Sequence, residues 1–145
     1  MATREQIESL LVQLEKAPPS EHFQNIDKNT AGIRAILKYL SETDEKVTAG
    51  KISEKIKVST ARVAVLLKKM ETKGLIEKEK DPEDGRIVVV KLSGHGRQTA
   101  ETLRENMYSH IGEMIDKVGM ERLLEFAAIS YEIHSVMAKT EIEPF

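Results

Sequence analysis

The chain has 145 residues, of which 40% are hydrophobic and 32% charged, with a formal net charge of −2 and no cysteine. That length can bury roughly two-thirds of the unfolded surface in one domain, and the lack of cysteine excludes disulfides, thiolate metal sites and thiol redox switching. No apolar run approaches the ~18 residues of a membrane span and Met1-Ala2-Thr3-Arg4-Glu5 lacks a signal peptide's apolar stretch, so a soluble cytoplasmic protein without a membrane partner is expected.

Ile7, Leu10, Leu11 and Leu14 recur at i, i+3, i+4, i+7 and predict an amphipathic first helix. Ala17-Pro18-Pro19-Ser20 stops it, because proline cannot continue the hydrogen-bond ladder. Ile33, Ile36, Leu37 and Leu40 repeat the stripe, with Asn29 or Thr30 expected as N-cap. Thr48 caps a short third helix through Ile56, with Ile52 and Ile56 inward, and Lys57-Val58 makes a turn. Ser59 caps a fourth helix whose buried stripe is Val63, Leu66, Leu67 and Met70, and Gly74 closes it. Leu75-Ile76 begins a strand, Asp81-Pro82-Glu83-Asp84-Gly85-Arg86 turns the chain, and Ile87–Leu92 returns. Ser93 caps a further helix whose apolar positions run through Ala100, Leu103, Met107, Ile111, Met114 and Val118. Gly119 interrupts before Met120, Leu123, Leu124, Ala127, Tyr131 and His134.

Two helices joined by a tight turn and followed at once by a hairpin make a winged helix, which sets the second helix in the major groove and the hairpin tip near the backbone or minor groove. The fold expected is mostly α with a small β-wing: a winged helix-turn-helix with N- and C-terminal dimerisation helices. Residues 1–28 form the first dimerisation helix and link, 29–97 the DNA-binding part and 98–145 the remaining dimerisation helices, all in one compact structural domain. The terminal helices carry more apolar surface than the small centre can cover. A homodimer is therefore expected, with a monomeric helical bundle as the alternative.

Charge is distributed unevenly. Residues 46–97 carry 13 basic and 7 acidic groups, a net +6, whereas residues 1–45 stand at −3 and 98–145 at −5. A local basic surface is what double-stranded DNA requires, since each neutralised phosphate releases condensed counterions. On the fourth helix Ser59, Thr60, Ala61, Arg62, Ala64, Val65, Lys68 and Lys69 lie outside the buried stripe. Arg62 is the base-edge candidate, because guanidinium pairs bidentately with guanine; a phosphate contact is its alternative. Ala64 and Val65 suit thymine methyls, and Lys68 and Lys69 suit phosphates or simple solvation. In the wing, Lys78 and Lys80 share a strand, and Asp84 stands where it can pair with Arg86 and aim it into a narrow minor groove. The alternative is a turn-stabilising ion pair.

These features resemble the MarR/SlyA family of transcription regulators. Val47-Thr48, Met70-Glu71-Thr72-Lys73-Gly74-Leu75-Ile76, the wing Asp81–Arg86 and Val90-Lys91-Leu92-Ser93 through Gly96-Arg97 carry the likeness. It implies a dimer joined through the terminal helices, a winged-helix lobe on each side and sensing of a small-molecule effector between lobe and dimer region. Repression is implied by the family alone. Two departures stand out: Ala64-Val65 replace the Thr-Arg pair frequent in the family, pointing to a different operator, and Gly85 stands where a second basic residue is frequent.

An enzyme is not expected, since the chain has no Cys nucleophile, Gly-rich phosphate loop or His-Glu-x-x-His motif. His110 and Glu113 stand three apart on one predicted helix, but His22 and His134 could join them only through tertiary structure; neither metal nor cofactor is expected. The reading is a ligand-responsive repressor acting as a homodimer on a palindromic operator. Its rival is a winged helix serving only protein–protein contact.

Overall fold

The computed structural model describes residues 1–16 and 28–139. Its elements run α1 (Arg4–Lys16), α2 (Lys28–Glu42), α3 (Ala49–Ile56), α4 (Thr60–Thr72), β1 (Ile76–Lys80), β2 (Val88–Leu92), α5 (Gly94–Val118) and α6 (Met120–Lys139). The mostly helical fold with a two-stranded antiparallel wing is the one the sequence predicts. Two compact units contain these elements, one drawn from 1–25 and 105–145, the other from 26–104. The proposed proline stop after α1 and His22 lie outside the described residues.

In the unit of residues 26–104, α2, α3, α4 and the hairpin share one core. Ile36, Leu37, Ile52, Val63, Leu66, Leu67, Met70, Ile76, Val90 and Leu92 are all buried in it. Truncating one of the larger of these to alanine would cost about 2–5 kcal/mol. Asn29 and Thr30 do not cap α2: Lys28 is already helical, so both fall within the first turn, whereas a cap needs non-helical backbone.

The helix-turn-helix is built from local hydrogen bonds. Thr48 caps α3, its hydroxyl accepting from the Lys51 N–H, and Ser59 caps α4 by accepting from the Arg62 N–H at 3.2 Å. Between the helices Lys57 is left-handed, at φ 56° and ψ 47°, and the Ser53 hydroxyl donates to the Val58 carbonyl at 2.6 Å. At the far end of α4, Gly74 (φ 68°) donates to the Glu71 carbonyl and Leu75 to the Met70 carbonyl, both at 2.9 Å. That pair of bonds is a Schellman motif, and it leaves Leu75 packed in the same core as Met70.

The wing follows immediately, with register from Ile76↔Leu92 to Lys80↔Val88. Val47 adds one bridge on the other edge of β2, accepting from the Val90 N–H at 2.8 Å. Ile87, predicted as strand, precedes β2 and closes the turn instead. Past the hairpin the Ser93 hydroxyl donates to the Gly74 carbonyl and accepts from the Gly96 N–H. A side chain at Gly96 would run into the Leu75 carbonyl, so the start of α5 lies directly against the end of α4.

The other unit packs α1 against α6 and the later part of α5, with Ile7, Leu10, Ile111, Ile115 and Leu123 at its centre. Gly119, at φ 97°, separates α5 from α6 as predicted. Within one chain only part of the apolar stripe is buried. Ile115 is buried although the stripe omits it, while Met107, Val118, Tyr131 and His134 are exposed.

Lys57 and Gly74 both occupy the left-handed region, which costs a side-chain-bearing residue about 1–2 kcal/mol. Lys57→Gly should therefore raise unfolding stability by about 1 kcal/mol and Gly74→Ala lower it by a similar amount. Urea denaturation of the three chains checks this; the same sign for both substitutions contradicts it.

Candidate nucleic-acid interface

Helix α4 divides cleanly into two faces. Val63, Leu66, Leu67 and Met70 are buried, while Thr60, Ala61, Ala64, Val65, Lys68 and Lys69 are exposed and Arg62 is half-buried at the margin. Ser59 is also exposed, with its hydroxyl occupied in capping. The helix thus offers one continuous outward face, with hydrogen-bonding groups near its start, small apolar side chains in the middle and two lysines a turn later.

The wing is held by its own aspartates. Asp81 Oδ1 accepts from the Glu83 N–H at 2.9 Å and Asp84 Oδ1 from the Arg86 N–H at 3.1 Å, so each side chain closes the backbone two residues on. The Ile87 carbonyl accepts from the Asp81 N–H at 2.8 Å, and its N–H donates to the Asp84 carbonyl at 3.0 Å. Arg86 reaches back to Asp84 with both Nε (3.2 Å) and a terminal nitrogen (3.4 Å), the pairing the sequence suggests. With the Arg86 side chain 92% exposed, the pair contributes under about 1 kcal/mol to stability and mainly directs the guanidinium.

Three further ion pairs, absent from the sequence reading, fix the wing. Lys78 Nζ meets Glu71 Oε2 at 3.1 Å, tying β1 to the last turn of α4. Lys91 pairs with Glu79 across the strands at 3.0 Å. Lys46, just before α3, reaches both Asp81 oxygens at 3.3 Å from 35 residues away. Lys80 is exposed on β1 beyond Lys78. The site residues named from sequence therefore fall into two clusters, the α4 face and the hairpin, with Lys78 engaged between them. No spacing rule could have revealed Lys46, because its partner is distant in sequence.

A helix-turn-helix joined to a short antiparallel hairpin, with the second helix's polar face exposed beside the hairpin, defines a winged helix. Residues 35–87 match the family model described as MarR family. The HTH-type transcriptional regulator YdgJ of Bacillus subtilis (strain 168), itself uncharacterized, is 30% identical over 86 residues; that match spans 59% of this chain and 52% of YdgJ, about half its length. The crystal structure of the MarR family transcription regulator SP03579 has a TM-score of 0.68 at 18% identity, covering 97% of this chain and 86% of that one. Streptococcus pneumoniae FabT, solved in complex with DNA, has a TM-score of 0.62 at 17% identity, covering 90% and 88%. The MarR family match thus falls on the winged-helix segment, and the chain is similar to the family there.

Among the described residues no group of three or more His, Cys, Asp or Glu side chains could hold a metal ion. None of the described helices is long and apolar enough to cross a membrane.

The Glu83 N–H, with the Lys46 ammonium beside it, holds the Asp81 carboxyl below the ordinary carboxylate range, against the opposing effect of partial burial. A depressed folded-state value means the charge stabilises the wing fully above the unfolded value, about 4, and loses that effect as pH falls through the folded value. Lys46→Ala should raise the Asp81 midpoint yet leave it below normal, because the Glu83 amide remains the larger cause. An NMR titration of the Asp81 carboxyl and the Glu83 amide checks this; an unchanged midpoint in the variant contradicts it.

Proposed function

We propose that the protein is a sequence-specific double-stranded DNA-binding transcriptional regulator, a repressor that acts as a homodimer on a palindromic operator and responds to a small molecule. The observation carrying the proposal is the exposed α4 face beside a wing whose arginine is held by Asp84, in a segment of net charge +6. In this reading Thr60 and Arg62 approach base edges, Lys68 and Lys69 meet phosphates, and Arg86 enters the adjoining minor groove, where a narrow groove enhances the negative potential. FabT, alike in fold and solved with DNA, supports a duplex as the partner.

Dimerisation is supported by α6, where Phe126, Ile129, Ile133 and Met137 form a stripe along one face and are each at least two-fifths exposed. A second copy of the same helix would cover such a stripe symmetrically, and a two-fold protein calls for a two-fold operator.

Effector response is supported by an open groove of about 440 Å³ within the winged-helix unit. Ile33, Leu37, Leu75 and Leu103 give it an apolar floor, and Arg34, Lys73 and His95 stand at it beside Thr30 and Thr99. That lining suits an organic anion with an apolar body. Lys73 and Leu75 belong to the junction between α4 and the wing, so a molecule seated there would bias the DNA-contacting parts directly. Relief of DNA binding would be reciprocal, with the duplex weakening effector binding by the same factor.

Selection of binding sites from a random duplex pool tests the proposal, followed by titration of the selected site across a salt series. A palindrome is expected, bound by two chains, with Lys69→Ala lowering the salt slope by about one unit and weakening all duplexes alike. Arg62→Ala should cost about 1–3 kcal/mol on the selected site only. Recovery of no preferred duplex would overturn the assignment in favour of a protein-interaction module, and an asymmetric site bound by one chain would overturn the dimer.

A further inference from the structure

The middle of the exposed α4 face is apolar. Ala61, Ala64 and Val65 follow one another at i, i+3 and i+4, all exposed, and Val65 is 48% exposed although it sits on a well-packed helix. Their neighbours along the helix are Thr60 and Arg62 before them and Lys68 and Lys69 after them. A branched aliphatic side chain left open to solvent among cationic groups fits a partner that is anionic overall and apolar at one point.

The major groove of DNA meets that description at thymine. Every base edge there offers hydrogen-bond donors or acceptors, and only thymine adds a methyl group, at C5. Alanine and valine can neither donate nor accept through their side chains, so opposite a guanine or cytosine edge they would leave polar groups desolvated and unpaired. Resting on the DNA-binding reading above, we infer that α4 reads thymine by apolar contact: Val65, flanked by Ala61 and Ala64, seats on thymine methyls at the centre of each half-site. Arg62 and the two lysines then act on either side of this point. The specificity of the helix comes from shape and apolar burial at the position where hydrogen-bond readout would ordinarily stand.

The test uses the duplex selected by the full-length protein, resynthesised with uracil replacing one thymine at a time. Uracil keeps the Watson–Crick edge and the O4 acceptor and removes only the methyl group. At one or two positions in each half-site, uracil should weaken binding about fourfold, the equivalent of one buried methyl-sized group. Placing cytosine there should weaken binding further, and 5-methylcytosine should recover part of that loss. In Val65→Ala, whose fold is checked by circular dichroism, the thymine-to-uracil difference should shrink toward unity at those positions. A uracil effect that persists undiminished in Val65→Ala would overturn the inference, because it would then arise from DNA deformability. Full affinity for the uracil duplex, with preference over random DNA intact, would also overturn it while leaving the DNA-binding reading in place. Failure to prefer any duplex over random DNA would overturn both.

Discussion

The junction at the end of α4 governs everything the winged helix can do. There a Schellman turn at Gly74 converts helix to strand in two residues, and Leu75 and Met70 enter the same core. Ser93 binds back to the Gly74 carbonyl, and Gly96 allows α5 to approach the Leu75 carbonyl. Lys78, paired with Glu71, adds an ionic tie between strand and helix. Since the helix face and the wing both spring from this point, their relative direction is set by backbone hydrogen bonds and buried side chains. Flexible surface contacts could not hold the two elements in register to the same degree.

Electrostatics then refines a geometry that packing has already fixed. The segment is basic overall, yet several of its lysines are committed to carboxylates: Lys46 to Asp81, Lys78 to Glu71 and Lys91 to Glu79. In the proposed function these pairs shape the wing, while Lys68, Lys69 and Arg86 carry the phosphate and groove contacts. The acidic residues of the hairpin are thus part of the apparatus. Asp81 and Asp84 each close a turn through the backbone and restrain a cation as well, which makes the Asp-Pro-Glu-Asp-Gly-Arg run a compact way to aim one arginine.

Local chemistry was legible in the sequence, and long-range chemistry was not. Thr48 and Ser59 as caps, Gly74 as terminator, the 63–66–67–70 stripe and the Asp84–Arg86 pair depend on residues a few positions apart, so spacing alone reveals them. The Lys46–Asp81 bond links positions 35 apart and has no periodic signal. Asn29 and Thr30 are good capping residues by type, yet α2 begins before them. Along α5 and α6 apolar character marks candidates for packing, and only the neighbouring helices decide which are covered: Ile115 is buried, while Met107, Val118 and Tyr131 are exposed. Lys57 illustrates the same limit from the other side: its left-handed backbone is imposed by the helix-turn-helix geometry, and nothing in its chemistry announces it.

In the proposed function α4 and the wing act together as one surface against a duplex. Hydrogen exchange of the full chain, followed by mass spectrometry with and without the selected duplex, tests that most directly. Slowed exchange should concentrate in peptides covering the start and exposed face of α4, around residues 59–69, and the wing turn, around 81–87, with both changing at the same DNA concentration. Protection confined to one of these segments, or centred on α6, would contradict the account.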